Sequence, residues 1–258
     1  MTVPDLAFTE PAGPQGAPLL VLGPSLGTST ILWENALPAL RERFRVTAWD
    51  LPGHGDSVPP AAGFTVADLA DAVAEGARAL GADRILYAGV SLGGATGLEL
   101  ALRHPDLVMA AAIVASGAQL GDPQAWHDRA AQVRAQSTSS LIIGSAQRWF
   151  APGSIEREPE LSGRLLHALQ DADDEGYALC CEAPAAYDVR DRLGEISLPV
   201  HAVWGRADEV APEVKAVEIA TGVQHGSVAV IEDAAHLPPA EQPGATASAL
   251  LSFFDSVR

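Results

Sequence analysis

Ser91 stands between glycines in GVSLGG (89–94), after an apolar run and before residues at helical spacing. Gly89, Ser91 and Gly93 fit G-x-S-x-G, the pattern of a serine on a sharp strand-to-helix turn, where side chains two positions to either side would collide. Such a turn lifts the hydroxyl off the end of a sheet. A serine hydroxyl is a weak nucleophile until a base takes its proton. Of seven histidines, His236 in EDAAHLPPAEQP follows the last strand-like segment, at the sheet end expected for Ser91. The base needs an acid to hold its tautomer and stabilise the imidazolium, and Asp208 in VWGRADEVAP leaves a strand into that same end. The three would perform covalent acyl transfer: Ser91 as nucleophile, His236 as base, Asp208 as orienting acid. Glu209 and Asp122 are rival acids. His54, in DLPGHGDS, is the rival base, and its stretch reads equally well as a rigid turn beneath the site. His104 reads as a helix-end cap and His201 lies inside a strand; His127 and His167 lie farther along, and His225 in a loop.

The oxyanion formed by serine attack needs N–H donors, each worth roughly 10²–10³ in rate. One is expected from Leu92, immediately after the nucleophile, and the other from Leu26 in GPSLGTS, with Ser25 beside it. To bring these loops together, the chain must order its strands in parallel. Strand-like runs fall at 18–23, 44–50, 84–89, 107–116, 199–205 and 226–233. Helical stretches fall at 30–42, at 65–80 with Thr65 and Asp68 as the opening cap, from Leu92, and from about 241 to 256. This alternation predicts an α/β fold with a mostly parallel, doubly wound sheet buried on both faces. Residues 118–195 have no convincing strand. Pro123, APGS (151–154), Pro159 and Pro184 divide them into several helices. They read as a helical cap insertion that roofs the strand ends, leaving 1–117 and 196–258 as the core.

Sixteen Lys and Arg against 33 Asp and Glu give a net charge of −17. That excludes a nucleic-acid partner, whose phosphates need a basic surface. It also repels an anionic substrate at long range, so such a substrate requires local arginines. Arg129, Arg134 and Arg148 are the candidates, with Trp126 and Trp149 as an apolar wall. No apolar run approaches the roughly 18 residues of a membrane span, and MTVPDLAFTE has neither basic patch nor apolar signal region. A cytoplasmic protein is expected. The adjacent Cys180 and Cys181 suit a reduced compartment as apolar fillers. No cysteine spacing suggests zinc, and the carboxylates of DADDEGY (171–177) read as a helix start, so no metal or organic cofactor is expected. Oligomeric state is not legible.

PSLGT (24–28), ERFRVTAWDLPGHGDS (42–57), GVSLGG, QRWFAPG (147–153), GYALCCEAPAAYDVRDRL (176–193) and AAHLPPAEQP (234–243) carry a resemblance. Over about residues 18 to 254 the chain resembles the α/β-hydrolase superfamily, and within it the 3-oxoadipate enol-lactonases. The order Ser91, Asp208, His236 is that of α/β-hydrolases. The resemblance implies an α/β-hydrolase fold and hydrolysis of a small anionic enol-lactone to 3-oxoadipate, in the β-ketoadipate branch of aromatic catabolism. A broad carboxylesterase, lactamase or perhydrolase is the alternative on the same scaffold, and a non-catalytic ligand receptor is the alternative outside enzymes. This chain departs from the pattern at Pro24-Ser25, where many relatives have His-Gly. It departs again at Leu92 in place of methionine, and at Ala185-Ala186 in place of a charged pair.

Overall fold

The computed structural model describes residues 3–257. Its sheet has six parallel strands, β1 (Leu19–Gly23), β2 (Arg45–Ala48), β3 (Ile85–Val90), β4 (Val108–Val114), β5 (Pro199–Gly205) and β6 (His225–Ile231), in the order β2-β1-β3-β4-β5-β6. Every residue of β1 and β3 is buried, as continuous apolar runs require when helices cover both faces. Chain order reverses between β1 and β3, and ligands of such sheets bind in the crevice beyond the carboxyl ends at this reversal. Gly23 pairs in register with Gly89, Val90 with Val114, Val114 with Val203, and Gly205 with Ile231. The strands therefore end level, and their loops emerge side by side.

Between β1 and β2 the sequence predicts one helix over 30–42. The structure instead has a 3-10 turn at Thr30–Trp33 and a single helical turn α1 (Leu37–Leu40). Pro38 has no N–H to continue a ladder from Glu34, and the Thr30 N–H is taken by the Asp50 carboxylate at 2.7 Å. Helix α2 (Val66–Ala79) opens with the expected Thr65–Asp68 cap, a reciprocal capping box. It packs on α3 (Leu92–Arg103).

Helices α4 (Pro123–Gln136), α5 (Ile142–Trp149), α6 (Ser154–Arg157), α7 (Pro159–Asp171) and α8 (Asp174–Ala185) lie between β4 and β5 and form a cover. Several of its carboxylates hold backbone N–H groups. Asp122 and Asp173 accept from the N–H groups of Gln124 and Gly176 at the starts of α4 and α8, and Asp174 accepts from the Thr138 N–H. The cover meets the DLPGHGDS turn closely. A Cβ on Gly53 would lie 2.9 Å from the Cα of Gly176, and the Asp173 N–H donates to Gly53 O. Beyond β5 come α9 (Glu213–Gly222), α10 (Pro238–Glu241) and α11 (Pro243–Ser256). Among the described residues no helix is long and apolar enough to cross a membrane.

Candidate active site

Ser91 has φ 55° and ψ −113°, a conformation costly for a residue with a side chain unless its surroundings impose it. They do. The Ser91 N–H donates to Val114 O, and the Ser116 hydroxyl donates to Ser91 O at 2.7 Å. A Cβ on Gly89 would sit 2.3 Å from the carbonyl oxygen of Gly93, and one on Gly93 would sit 2.6 Å from that of Pro24. Both glycines are thus required by backbone approach. Among the described residues the Ser91 hydroxyl has no hydrogen-bond partner. It faces a cavity of about 100 Å³ lined also by His236, Ser25, Leu26, Trp126, Trp149, Arg129 and Arg148.

Asp208 and His236 leave β5 and β6 at the same edge. His236 Nδ1 lies 3.0 Å from Asp208 Oδ2, and both side chains are almost completely buried. Oδ1 of Asp208 accepts from the N–H groups of Val210 and Ala211. Burial raises the cost of the Asp208 charge, but the His236 ring and these two N–H groups outweigh it and hold the carboxyl below the usual carboxylate range. A carboxylate so held keeps the proton on Nδ1 and leaves Nε2 able to accept one.

Leu92 begins α3, where the first N–H groups lack intrahelical acceptors. The neighbouring donors are committed elsewhere: Gly93 N–H to Pro24 O, Gly27 N–H to His54 Nε2, and Thr28 N–H to Ser25 O. Leu26 and Leu92 are the N–H groups these bonds bypass. His54 lies beneath. Its Nδ1 is 3.0 Å from Pro52 O, which can only accept, so Nδ1 carries the proton and the Nε2 lone pair takes the Gly27 N–H. Both ring nitrogens are occupied, and the ring stacks on Tyr177 with centroids 5.6 Å apart. His54 therefore holds the Leu26 loop and has no nitrogen free to serve as a base.

Burial lowers the His54 pKa to about 4. As pH falls through about 6.5 the unfolded chain binds a proton that the folded ring refuses, so stability is lost down to about pH 4, by about 3 kcal/mol. The advantage of the wild type over His54→Gln in urea unfolding is expected to shrink by about that amount between about pH 7.5 and about pH 4. A gap that stays constant with pH would count against this account.

The arginines divide. Arg134 is exposed on α4, clamped by Glu175 at 2.7 Å and Glu182 at 2.5 Å on α8, so the expectation that it lines the cavity is corrected. Arg129 and Arg148 do line it, and among the described residues neither has an acidic partner. Arg129 lies over the rings of Trp126 and Tyr177, at 6.0 and 5.7 Å, with its Nε buried and unpartnered. Desolvation, then repulsion from Arg129, lowers the Arg148 pKa. Two cations held together without a counter-ion are a place for an anion. The sequence reading missed Lys215, which lines the same cavity with its ammonium 3.2 Å from Gln119 O, and Ser116. Lys215 is the chain's only lysine, a signal that was available.

A strained serine at the strand reversal, with an acid–imidazole pair following the last two strands in the chain order Ser, Asp, His, is the arrangement of α/β-hydrolases. The chain belongs to the α/β-hydrolase family, whose sequence profile (alpha/beta hydrolase fold) matches residues 18–243. Among its relatives is 3-oxoadipate enol-lactonase 2 of Acinetobacter baylyi, 33% identical over 246 residues that cover 95% of this chain and 92% of that one. The crystal structure of the enol-lactonase from Burkholderia xenovorans LB400 superposes with a TM-score of 0.92 at 31% identity, covering 97% and 96% of the two chains. A pimeloyl-[acyl-carrier protein] methyl ester esterase of Vibrio atlanticus is 27% identical over 251 residues, covering 92% and 94%.

Proposed function

We propose that this chain is a serine hydrolase that opens a small lactone bearing a carboxylate, 3-oxoadipate enol-lactone above others. The observation that carries the reading is a single cavity, in a chain of net charge −17, that holds Ser91, His236 and two arginines without acidic partners. A volume of about 100 Å³ is the scale of one small ring, which argues against a long acyl chain. The enol-lactonase relatives support the choice of substrate, whereas the esterase relative supports only the reaction type.

In this reading His236 Nε2 takes the Ser91 proton as Oγ attacks the lactone carbonyl. The N–H groups of Leu26 and Leu92 hold the oxyanion. The ring C–O bond breaks, the imidazolium of His236 gives the proton it took to the departing enolate oxygen, and the resulting enol exchanges that proton through water for one on carbon to give the ketone, leaving His236 neutral. His236 then activates water, which cleaves the acyl-enzyme and restores the Ser91 hydroxyl. Arg129 and Arg148 hold the carboxylate that does not react, and Trp126 and Trp149 wall the ring.

Steady-state rates on the enol-lactone and on a neutral aryl acetate test this. Arg148→Met is expected to lower kcat/KM for the anionic lactone about 10- to 100-fold, the worth of one charge-assisted hydrogen-bond pair, while leaving the neutral ester within about threefold. A wild type that prefers the aryl ester, or forms peracid faster than it opens the lactone, would replace this reading with the broad-esterase or perhydrolase one.

A further inference from the structure

The mechanism above makes no use of the buried carboxylate of Glu241. Glu241, at the end of α10, is 4% exposed. Its Oε1 accepts from the N–H of Ala235 at 2.8 Å and of Leu237 at 3.2 Å, the two residues that flank His236. Its Oε2 accepts from the Ala151 N–H at 2.6 Å and the Ser154 hydroxyl at 2.8 Å, both in the cover. The N–H of His236 itself donates to Trp149 O. Three consecutive N–H groups, 235 to 237, thus reach acceptors outside their loop, and two of them share one carboxylate oxygen.

A buried carboxylate is expensive unless its lone pairs are filled. Burial does push the Glu241 carboxyl up, and the four donors pull against it. Three of the four neighbours are backbone N–H groups, which can only donate, and Oε1 faces two of them. An apolar side chain would fill the same space without that cost, but it would leave the His236 backbone free to rotate.

We propose that Glu241 is a positioning residue, a two-armed clamp that fixes the backbone on both sides of His236 and yokes it to the part of the cover carrying Arg148 and Trp149. The clamp sets the distance between the base and the substrate anchor. Its role rests on the reading of His236 as base and Ser91 as nucleophile.

The test begins with a fluorophosphonate titration of the wild type, since an unlabelled serine would sink that underlying reading before any variant is made. Glu241→Met keeps the volume and removes all four acceptor sites. Its kcat on a neutral aryl ester, per titrated serine, is expected to fall about tenfold or more with KM within about twofold, because a misplaced base slows chemistry without emptying the pocket. The low-field proton resonance of His236 Nδ1–H, in its bond to Asp208, is expected to broaden. Glu241→Gln, whose carbonyl can still serve one pair of donors, is expected to fall between the two. A Glu241→Met protein with wild-type kcat per titrated serine and an unchanged resonance, whatever its melting temperature, overturns the proposal by leaving only a packing role. If Glu241→Met does not fold, Glu241→Gln decides: wild-type kcat per titrated serine overturns the proposal, and a loss of about threefold or more supports it.

Discussion

Ser91→Ala is expected to lose about 10⁴-fold or more of kcat and all burst with an activated ester, the scale of loss when a serine nucleophile is removed. No neighbour can replace the hydroxyl. The Ser116 hydroxyl is committed to the Ser91 carbonyl, and Ser25, although it lines the cavity, does not sit on the strained turn at the start of α3 that presents Ser91. Cys180 and Cys181 are buried in the cover; desolvation raises both thiols, that of Cys181 to about 12, so neither supplies a thiolate near neutral pH. The variant is expected to fold, because alanine meets the same backbone constraint at φ 55° that serine already meets. Burst amplitude and fluorophosphonate labelling, measured on samples matched for circular dichroism and melting temperature, check this. A labelled, bursting Ser91→Ala protein would remove the acyl-enzyme mechanism.

Asp208→Asn is expected to cost about 10⁴-fold in kcat while leaving the fold and KM nearly intact, as the equivalent change does in the serine-protease triad. The reason is directional. Oδ1 is held by two donors, Val210 N–H and Ala211 N–H, so an asparagine must keep its carbonyl there. Its NH₂ then points at His236 Nδ1, which becomes an acceptor and sends the ring proton to Nε2. A base with a proton already on the nitrogen that faces the serine cannot take another. A pH–rate profile of the variant, with active sites titrated, measures the effect. A loss of less than about tenfold would mean that Asp208 does not set the tautomer.

The parts legible in the sequence were those encoded locally. The glycines around Ser91 announce a turn because their spacing has one steric meaning, and the structure shows what a Cβ would strike at each. Asp208 and His236 could be picked because parallel strands deliver their following loops to one edge. The cover resisted reading for a physical reason. Arg129 and Arg134 are five residues apart on α4, so they point about 140° from each other around the helix. Only Ala130 and Val133 of α4 are buried, which left no apolar stripe to say which arginine turns inward. The division depended on Glu175 and Glu182, some forty residues later. Likewise Glu241 lay in view in AAHLPPAEQP, but its four donors come from two distant stretches of chain.

Ser91 is planted where β3, flanked by β1 and β4, turns into α3, whose residues from Leu92 to Ala101 are all buried. Segments with the densest burial are the last to open in native-state fluctuations, and helices with few buried residues open early. Amide hydrogens around Ser91 are therefore expected to exchange with the slowest unit of the fold, and those of α4 with a faster one. On warming, α4 is expected to loosen before the turn that holds Ser91.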